Sequence, residues 1–249
     1  MLTQERYRAI LNLLNEKDAV SVSELTQLLD TSESTIRRDL NALDEMGRLN
    51  KVFGGATSIK KTAGVFEDAV SKREEVMIEE KKSIAAYCAG LINDSDFVYI
   101  DAGTTTSLFV DCISNSKATY VTNGIVHARK LILKGFNVYI IGGKVKPKTE
   151  AIVGAESIKS IKSFNFTKAF MGTNGIDVDA GFTTPDIEES LVKEEAIKKS
   201  YVSFILADHS KFKKVFPVTF SEINKCCVVT DKLTDASFTE HTVIKEVMK

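Results

Sequence analysis

The residues best suited to chemistry in this sequence are concentrated at positions 101–106, which read Asp-Ala-Gly-Thr-Thr-Thr. A run rich in β-branched and aromatic residues precedes them, and a stretch with helical spacing follows. Glycine permits a tight turn, the backbone amides and three hydroxyls can donate hydrogen bonds, and a helix N-terminus favours an anion. The run therefore predicts a phosphate site, although such turns also serve as simple helix caps. The candidate contacts are Asp101, Gly103, Thr104, Thr105 and Thr106.

Four further loops of small and polar residues follow later β-rich runs, at residues 122–124, 142–144, 172–175 and 208–211. Because the carboxyl ends of parallel strands share one edge of a sheet, we expect these loops to converge on one crevice. A polyhydroxylated, negatively charged ligand fits them best, although any single loop can be a structural turn. The candidates in these loops are Thr122, Asn123, Gly142, Gly143, Gly172, Asn174, Asp208 and Lys211.

The elements that must position these loops are short strands alternating with helices. This alternation predicts a doubly wound, largely parallel α/β sheet, whose ligands bind beyond the carboxyl ends of the strands. The predicted strands are residues 97–101, 119–122, 137–141, 168–171, 202–207 and 226–230.

The first sixty residues predict three short amphipathic helices instead. In the first, capped by Thr3, apolar residues recur with the i, i+3, i+4, i+7 spacing of one buried stripe. A short extended piece at residues 19–22 leads to the second helix, capped by Ser23 or Ser21. Ser32 caps the third helix.

The third predicted helix has an inward stripe of Ile36, Leu40 and Leu43, and Gly47 ends it. Its opposite face is polar: an arginine fork matches guanine, asparagine matches adenine, and hydroxyls contact phosphate. Residues 48–53 alternate and end at a Gly-Gly pair, as a hairpin wing does. The pattern predicts a winged helix-turn-helix, although a three-helix bundle with a solvated charged face fits the same periodicity. The candidate DNA-binding residues are Ser34, Thr35, Arg37, Arg38, Asn41, Lys51, Gly54 and Gly55.

Length and composition limit the class of protein. The chain has 249 residues, of which 43 % are hydrophobic and 27 % charged, with a net charge of -1 and four cysteines. No apolar run approaches the ~20 residues of a membrane span, and no secretory signal precedes residue 20. The cysteines lack metal-ligand or disulfide spacing. We therefore expect a cytoplasmic protein without metal or cofactor. We also expect domains at residues 1–57 and 80–249, joined by a linker at residues 58–79.

Residues 32–40, Ser-Glu-Ser-Thr-Ile-Arg-Arg-Asp-Leu, resemble the DNA-binding module of the DeoR family of bacterial regulators. Gly47 and the Gly-Gly-Ala sequence at residues 54–56 follow at the family's separation, and the resemblance covers about residues 2–57. Two positions depart from the family's pattern: Phe53 stands where histidine is usual, and Lys51 where arginine is common.

Residues 81–231 are similar to the sensor domain of the same family, whose fold is shared with sugar-phosphate isomerases. That resemblance implies that residues 103–106 hold a phosphate and that Lys81 or Lys82 lies near the effector pocket. The residues that it implies for contacts with the sugar or the phosphate are Asn123, Glu188, Lys193, Asp208 and Lys211.

These features together predict a transcriptional repressor of a sugar-utilisation operon. Its partners are operator double-stranded DNA and a small phosphorylated sugar, and it acts as a homo-oligomer, a dimer or tetramer. The chain looks most similar to repressors of fructose-uptake operons, which implies fructose 1-phosphate as effector. Two alternatives are a regulator that ignores small molecules and a sugar-phosphate isomerase. The isomerase alternative would use carboxylates from Asp177, Asp179, Glu188 and Glu189, but no acid-base pair is evident.

Overall fold

The structure is a computed structural model that describes residues 3–17, 19–58, 75–114 and 117–248. The chain divides into two compact units, Met1–Thr62 and Ala63–Lys249. Most of the predicted linker, residues 59–74, lies outside the described residues. Regular structure reaches into both ends of the predicted linker, because a strand includes Ser58 and a helix begins at Ile78.

The first unit contains three helices and a small antiparallel sheet with strand order β1-β3-β2. The prediction of a winged helix-turn-helix is confirmed. The elements are α1 Thr3–Lys17, β1 Ala19–Ser21, α2 Val22–Leu28, α3 Glu33–Glu45, β2 Leu49–Val52 and β3 Gly55–Ser58.

The caps in this unit follow the sequence, with two corrections. Ser21 caps α2, accepting a 3.1 Å bond from the amide of Glu24, so Ser23 is not the cap and the extended piece ends one residue before Val22. Thr3 was predicted to cap α1, but it lies inside that helix as its first described residue. Ser32 caps α3 as predicted, and the backbone of Gly47 just beyond it has a positive φ of 63°.

The second unit is built on seven strands, with the order β15-β14-β12-β9-β4-β5-β6 and every neighbouring pair parallel. The predicted doubly wound α/β sheet is confirmed. These strands are β4 Phe97–Ile100, β5 Thr119–Thr122, β6 Asn137–Ile140, β9 Phe166–Gly172, β12 Ser200–Leu206, β14 Cys227–Thr230 and β15 Ile244–Glu246.

Two smaller sheets border this one. The hairpin of β7 Lys144–Val145 and β8 Ile152–Val153 is one, and the antiparallel set β10 Gly175–Asp177, β11 Gly181–Thr184 and β13 Val218–Ser221 is the other. The helices are α4 Ile78–Ala89, α5 Thr104–Cys112, α6 Ile125–Leu133, α7 Ala155–Lys162 and α8 Ile187–Lys198. The described part of this unit also contains three 3-10 turns, His209–Lys211, Ile223–Lys225 and Ala236–Glu240.

Helices cover both faces of the main sheet. Side chains that alternate along a central strand such as β4 are therefore buried on both sides. In β4, Val98 and Ile100 pack against α4, α5 and α6, whereas Tyr99 between them packs into the core formed with α7 and α8. The sheet order reverses between β4 and β9, so the carboxyl ends of these two strands mark the switch point at which such folds bind ligands. In the described parts of the chain, no helix is long and apolar enough to cross a bilayer.

Candidate DNA-reading face and effector crevice

Helix α3 presents the predicted polar face to solvent. Ile36, Leu40 and Leu43 are buried, whereas Ser34, Arg37, Arg38 and Asn41 are exposed and Thr35 is half-buried. The two arginines differ in their surroundings. Arg37 forms a 2.5 Å ion pair with Glu33 one turn earlier, whereas no described residue pairs with Arg38. The Arg38 guanidinium is thus available to a base edge or a phosphate without breaking an internal bond.

The wing is held against this reading face. The amide of Lys51 in β2 donates a 2.9 Å hydrogen bond to the carboxylate of Asp44. Asp44 lies on one helical stripe with Arg37 and Asn41, since these positions are separated by four and three residues. The bond therefore places β2 alongside the exposed stripe of α3, with the Lys51 side chain exposed.

The two wing glycines have different roles. Gly54 has a φ of 83° with open space around it, and its carbonyl accepts a 2.9 Å bond from the amide of Val22. Gly55 is buried, and a Cβ there would lie 2.2 Å from the carbonyl oxygen of Val20. Packing between β3 and β1 therefore accounts for glycine at position 55, and DNA contact by Gly55 stays a prediction. Phe53, at the tip of the wing, is fully exposed.

An ion pair behind the reading face was not anticipated. Asp39, buried on α3, accepts bonds from Arg6 of α1, at 2.5 Å from Nε and 3.1 Å from Nη2. The hydrogen bond that Arg6 donates to Asp39 raises the pKa of Arg6. Asp39 lies on the inward side of α3 beside Ile36 and Leu40, and a carboxylate on a buried stripe is the signal that a cationic partner is needed. The pair fixes α3 relative to α1.

At the switch point of the larger unit, Asp101 and Lys193 form a buried ion pair. Asp101 directly follows β4, and its carboxylate also accepts a 3.0 Å bond from the amide of Gly172 at the end of β9. Lys193 of α8 donates a further 3.1 Å bond to the Gly172 carbonyl. Burial raises the pKa of Asp101, and Lys193 and the Gly172 amide oppose that rise. Three predicted effector residues are thereby joined in one bonded group.

The predicted phosphate turn begins α5. The Thr106 hydroxyl is buried and donates to the carbonyls of Asp101 and Gly103, at 2.6 and 3.0 Å, so it closes the turn from within. Thr104 is half-buried and accepts a 3.2 Å bond from the ammonium of Lys81, a nearly buried residue of α4. Lys82 is exposed and pairs with Glu79. Of the two predicted lysines, Lys81 is therefore the one at the turn. Thr105 is nearly buried in the same helical turn.

His127 contacts the predicted phosphate turn, and this role was not predicted from the sequence. Its Nε2 lies 3.1 Å from both the Thr106 hydroxyl and the Gly103 carbonyl. Burial lowers the pKa of His127 to about 4, so the imidazole is neutral at physiological pH. A Cβ at Gly124 would lie 2.5 Å from the His127 ring, which explains glycine there. The available signal was a histidine in the first turn of the helix after the 122–124 loop.

The loop after β5 also braces the phosphate turn. The side-chain oxygen of Asn123 accepts a 2.8 Å bond from the amide of Ala102, and the Thr122 hydroxyl accepts a 3.0 Å bond from the amide of Gly124. Both side chains are buried. These two predicted effector residues therefore hold backbone in place in this structure, and direct contact with a ligand stays a prediction for them.

The loop at residues 142–144 lies beside the β7–β8 hairpin. Gly142 is exposed, and its carbonyl accepts a 2.9 Å bond from Ser157. Gly143 has a φ of 144°, and a Cβ there would lie 2.2 Å from the Ser157 hydroxyl. The geometry of a turn is therefore sufficient to explain both glycines.

Ion pairs connect the β7–β8 hairpin to the start of α8. Glu188 pairs with Lys144 at 3.1 Å, near the surface, so it does not join the Asp101 group. Lys146 lies 2.8 Å from each of two carboxylates, Asp186 and Glu189. These bonds with Lys146 raise its pKa and lower that of Asp186, against the opposing effect of burial, which is the largest influence on each.

The remaining predicted residues lie at the ends of β9 and β12. The half-buried Asn174 accepts a 3.2 Å bond from Thr184. Asp208 is buried and caps the turn at His209–Lys211 by accepting a bond from the amide of Ser210. Lys211, at the end of that turn, is half-buried.

Three carboxylates of the enzyme alternative, those of Asp177, Glu188 and Glu189, are bonded within the fold. Asp177 accepts 3.0 Å bonds from the amides of Asp179 and Ala180 and closes the β10–β11 turn. The ring of His209 is oriented by Asp231, at 2.6 Å, while the Ser210 hydroxyl bonds Asp208. In the part of the chain that the structure describes, no serine hydroxyl bonds a histidine ring in a triad, and no group of three His, Cys, Asp or Glu residues suits a metal ion.

Comparison with known families decides the identity of both units. A model of the DeoR-like helix-turn-helix domain matches residues 6–62, and a model of the DeoR C-terminal sensor domain matches residues 76–232. The chain belongs to the DeoR family. The resemblance expected from residues 32–40 and from the loops of the second unit is thereby confirmed.

Relatives within the DeoR family match nearly the whole chain. The chain is 39% identical to the uncharacterized HTH-type transcriptional regulator FruR of Bacillus subtilis, over 99% of each chain. It is 38% identical to the transcriptional regulator IolR of the same organism, over 89% of this chain and 88% of that one. It is 31% identical to the lactose phosphotransferase system repressor of Staphylococcus aureus, over 92% of each. These names confirm the prediction of a DeoR regulator rather than an enzyme.

The two solved structures that follow each overlap with part of the DeoR chain. Ribose 5-phosphate isomerase A from Methanocaldococcus jannaschii covers 54% of each chain, with 12% identity and a TM-score of 0.41. The eIF2B delta protein of Chaetomium thermophilum covers 56% of this chain and 50% of its own, with 15% identity and a TM-score of 0.43.

Proposed function

We propose that this protein is a cytoplasmic repressor of a sugar-utilisation operon, which binds operator double-stranded DNA as a homo-oligomer and is controlled by a small phosphorylated sugar. Fructose 1-phosphate is the first candidate for that effector, because FruR is among the relatives with full-length matches. The observation that carries the proposal is the exposed face of α3, where Arg38 has no partner among the described residues. The names of other relatives, among them a lactose phosphotransferase system repressor, support sugar control.

The proposed DNA contacts divide into two kinds. Arg38 and Asn41, exposed in the middle of α3, read base edges in the major groove, as recognition helices do. The N-terminus of α3, with Ser34 and Thr35, and the wing residue Lys51 contact phosphates and set the position of the helix. Arg37 must exchange its bond with Glu33 for a bond with DNA, so we expect a smaller contribution from it.

The proposed effector contacts centre on the N-terminus of α5. Its free backbone amides, the Thr104 and Thr105 hydroxyls and the ammonium of Lys81 converge on one turn and suit a phosphate. The hydroxyl of Thr106 is already used inside the turn. Lys193 of α8 bonds to Asp101 and Gly172 at the ends of β4 and β9, and Lys211 lies in the turn that follows β12. We assign both lysines to the sugar end of the ligand.

The DNA-binding proposal is tested by selection from a pool of random duplexes with the purified full-length chain. Arg38→Ala should bind the selected duplex about 10- to 100-fold more weakly, and should lose discrimination at one base position. Lys162→Ala removes an exposed cation in α7 and is the matched control, expected to bind as the wild type does. A selected motif bound equally well by Arg38→Ala removes α3 from the role of reader.

The effector proposal is tested by thermal shift against sugar phosphates and their unphosphorylated parents. A ligand that binds only the native state raises the Tm, by mass action. We expect a rise with fructose 1-phosphate but not with fructose, and its loss in Lys81→Met. Lys82→Met, an exposed neighbour, is the matched control and should retain the rise. If no sugar phosphate changes the Tm of the wild type, sugar control is wrong while DNA reading stands.

A further inference from the structure

The two edges of the seven-stranded sheet differ in how they meet solvent. Strand β15 is three residues long and carries Lys245 and Glu246, which is how natural proteins block edge-to-edge pairing. Strand β6, at the opposite edge, reads Asn-Val-Tyr-Ile and contains no charged residue. Only one of the two edges is therefore protected against pairing with another strand.

The unprotected edge coincides with a concentration of exposed apolar side chains. Leu133 and Ile132, at the end of α6, are 77% and 62% exposed, and Tyr139 and Ile140 of β6 are each about half exposed. Together they leave on the order of 600 Å² of apolar surface open, at the upper limit for a monomer and close to the share of one partner in a stable interface. We call this region the β6 edge surface; it comprises Ile125, Val126, Ile132, Leu133, Tyr139, Ile140 and Val145.

Lysines that border this surface are bonded within the same chain, whereas Arg129, exposed on α6 between Val126 and Ile132, forms no ion pair with a described residue. Lys130 pairs with Asp111 at 2.7 Å, and Lys144 pairs with Glu188. Lys134 donates to the carbonyls of Val110 and Ile113 at the end of α5, each at 2.9 Å. Two identical surfaces can therefore meet without opposing unpaired lysines, provided that the contact leaves the Arg129 guanidinium in solvent.

The backbone of β6 is also open to a partner. The amide of Ile141 donates to the carbonyl of Thr122 in β5, and amides along a parallel strand alternate in direction. The amide of Ile140 therefore points away from β5, and no described residue accepts its hydrogen bond. A copy of β6 arranged antiparallel across a two-fold axis offers the matching acceptors, with the same residues on both sides.

We propose that the β6 edge surface joins two copies of this chain, through antiparallel pairing of β6 with β6 and packing of the Leu133 ends of α6. This inference rests on the homo-oligomer in the proposed function and assigns the surface that forms it. It excludes a purely polar or DNA-mediated contact between copies. It also explains why an otherwise well-covered parallel sheet leaves one edge apolar.

The test is sedimentation equilibrium of the full-length chain without DNA, with substitutions at exposed positions. Ile140→Lys and Leu133→Glu should each weaken self-association by at least about 100-fold, because each places two like charges in the contact. Tyr201→Lys is the matched control, since Tyr201 is 91% exposed in β12, away from this edge. We expect it to associate as the wild type does, and circular dichroism checks that each variant is folded.

A second measurement uses the wild type alone. Hydrogen exchange at the amide of Ile140 should accelerate on dilution below the dissociation constant of self-association, whereas exchange at Ile141 should change less. Association of the wild type that persists in both variants, or concentration-independent exchange at Ile140, overturns this surface but leaves the homo-oligomer standing. A wild type that is monomeric throughout overturns both the surface and the proposed homo-oligomer.

Discussion

The two recognition regions of the molecule hold their charged groups in opposite ways. On α3, Arg38 is exposed without a described partner, and the only ion pair behind that face among the described residues, Arg6 with Asp39, lies on the inward side. At the switch point of the sensor domain, Asp101 and Lys193 are buried and bonded to each other. The α3 face therefore presents a charged group that can bind a partner directly, whereas the charged groups of the sensor domain are already bonded to each other.

This difference sets what each region can do on binding. In the proposed function, Arg38 of the α3 face gains contacts with DNA without breaking an internal bond, so the binding energy is electrostatic and falls as salt rises. A ligand that reaches Lys193 must instead change bonds that join β4, β9 and α8. Helix α8 is also tied through Glu189 to Lys146 in the hairpin loop. A buried bonded group therefore couples ligand binding to the positions of several elements, whereas an exposed face does not.

Breaking the buried pair should have the largest effect. Lys193→Met leaves Asp101 buried without its cation, and we expect the free energy of unfolding of the sensor unit to fall by about 3 to 5 kcal/mol. Urea unfolding followed by circular dichroism measures it. Lys198→Met, on the same helix, removes an exposed pair with Glu194 and should cost about 0.5 kcal/mol or less. Equal effects in the two variants contradict the distinction between buried and exposed charge.

The buried His127 predicts a dependence on pH that the reading unit lacks. Unfolded histidine takes up a proton as pH falls through 6.5, whereas native His127 stays neutral down to about pH 4. The unfolded state therefore binds more protons in that window, and stability present above pH 6.5 is lost as pH falls. Between pH 7 and pH 5 the loss is about 2 kcal/mol.

The measurement is urea unfolding of the sensor transition at both pH values, in the wild type and in His127→Asn. The variant should lose less stability on acidification, whatever its stability at pH 7. His241→Asn, which removes an exposed histidine, is the control and should keep the wild-type dependence. Parallel pH curves for the wild type and His127→Asn show that the imidazole is not held neutral by burial.

The sequence predicted elements and faces better than it predicted partners. The stripe of Ile36, Leu40 and Leu43 and six of the seven strands in the main sheet follow from local periodicity, which the structure preserves. The bonds of Asp101 with Lys193, 92 residues away, depend on how distant elements pack, and no local pattern contains that information. The short strands β7, β8, β10 and β11 were missed for a related reason, since two to four residues show no period.

The sequence also did not distinguish the different roles of residues within one motif. The Gly-Gly pair of the wing and the three threonines of the phosphate turn were predicted as uniform groups. In the structure Gly54 lies in open space while Gly55 packs on Val20, and Thr106 is used internally while Thr104 meets Lys81. Members of one motif point in different directions, so spacing alone did not separate contact residues from supporting ones.

The smallest expected effect is at the wing, and it tests the description of the α3 unit as a surface whose groups are exposed before DNA binds. Phe53 is fully exposed at the wing tip, so Phe53→Ala removes no buried contact and should leave the free energy of unfolding within about 0.5 kcal/mol. If the tip packs against DNA, affinity for the selected duplex should fall about fivefold, with little change in salt dependence, because the lost contact is apolar. Lys51→Ala should instead flatten the salt slope by about one. A Phe53→Ala variant that binds with wild-type affinity confines recognition to α3 and the charged part of the wing.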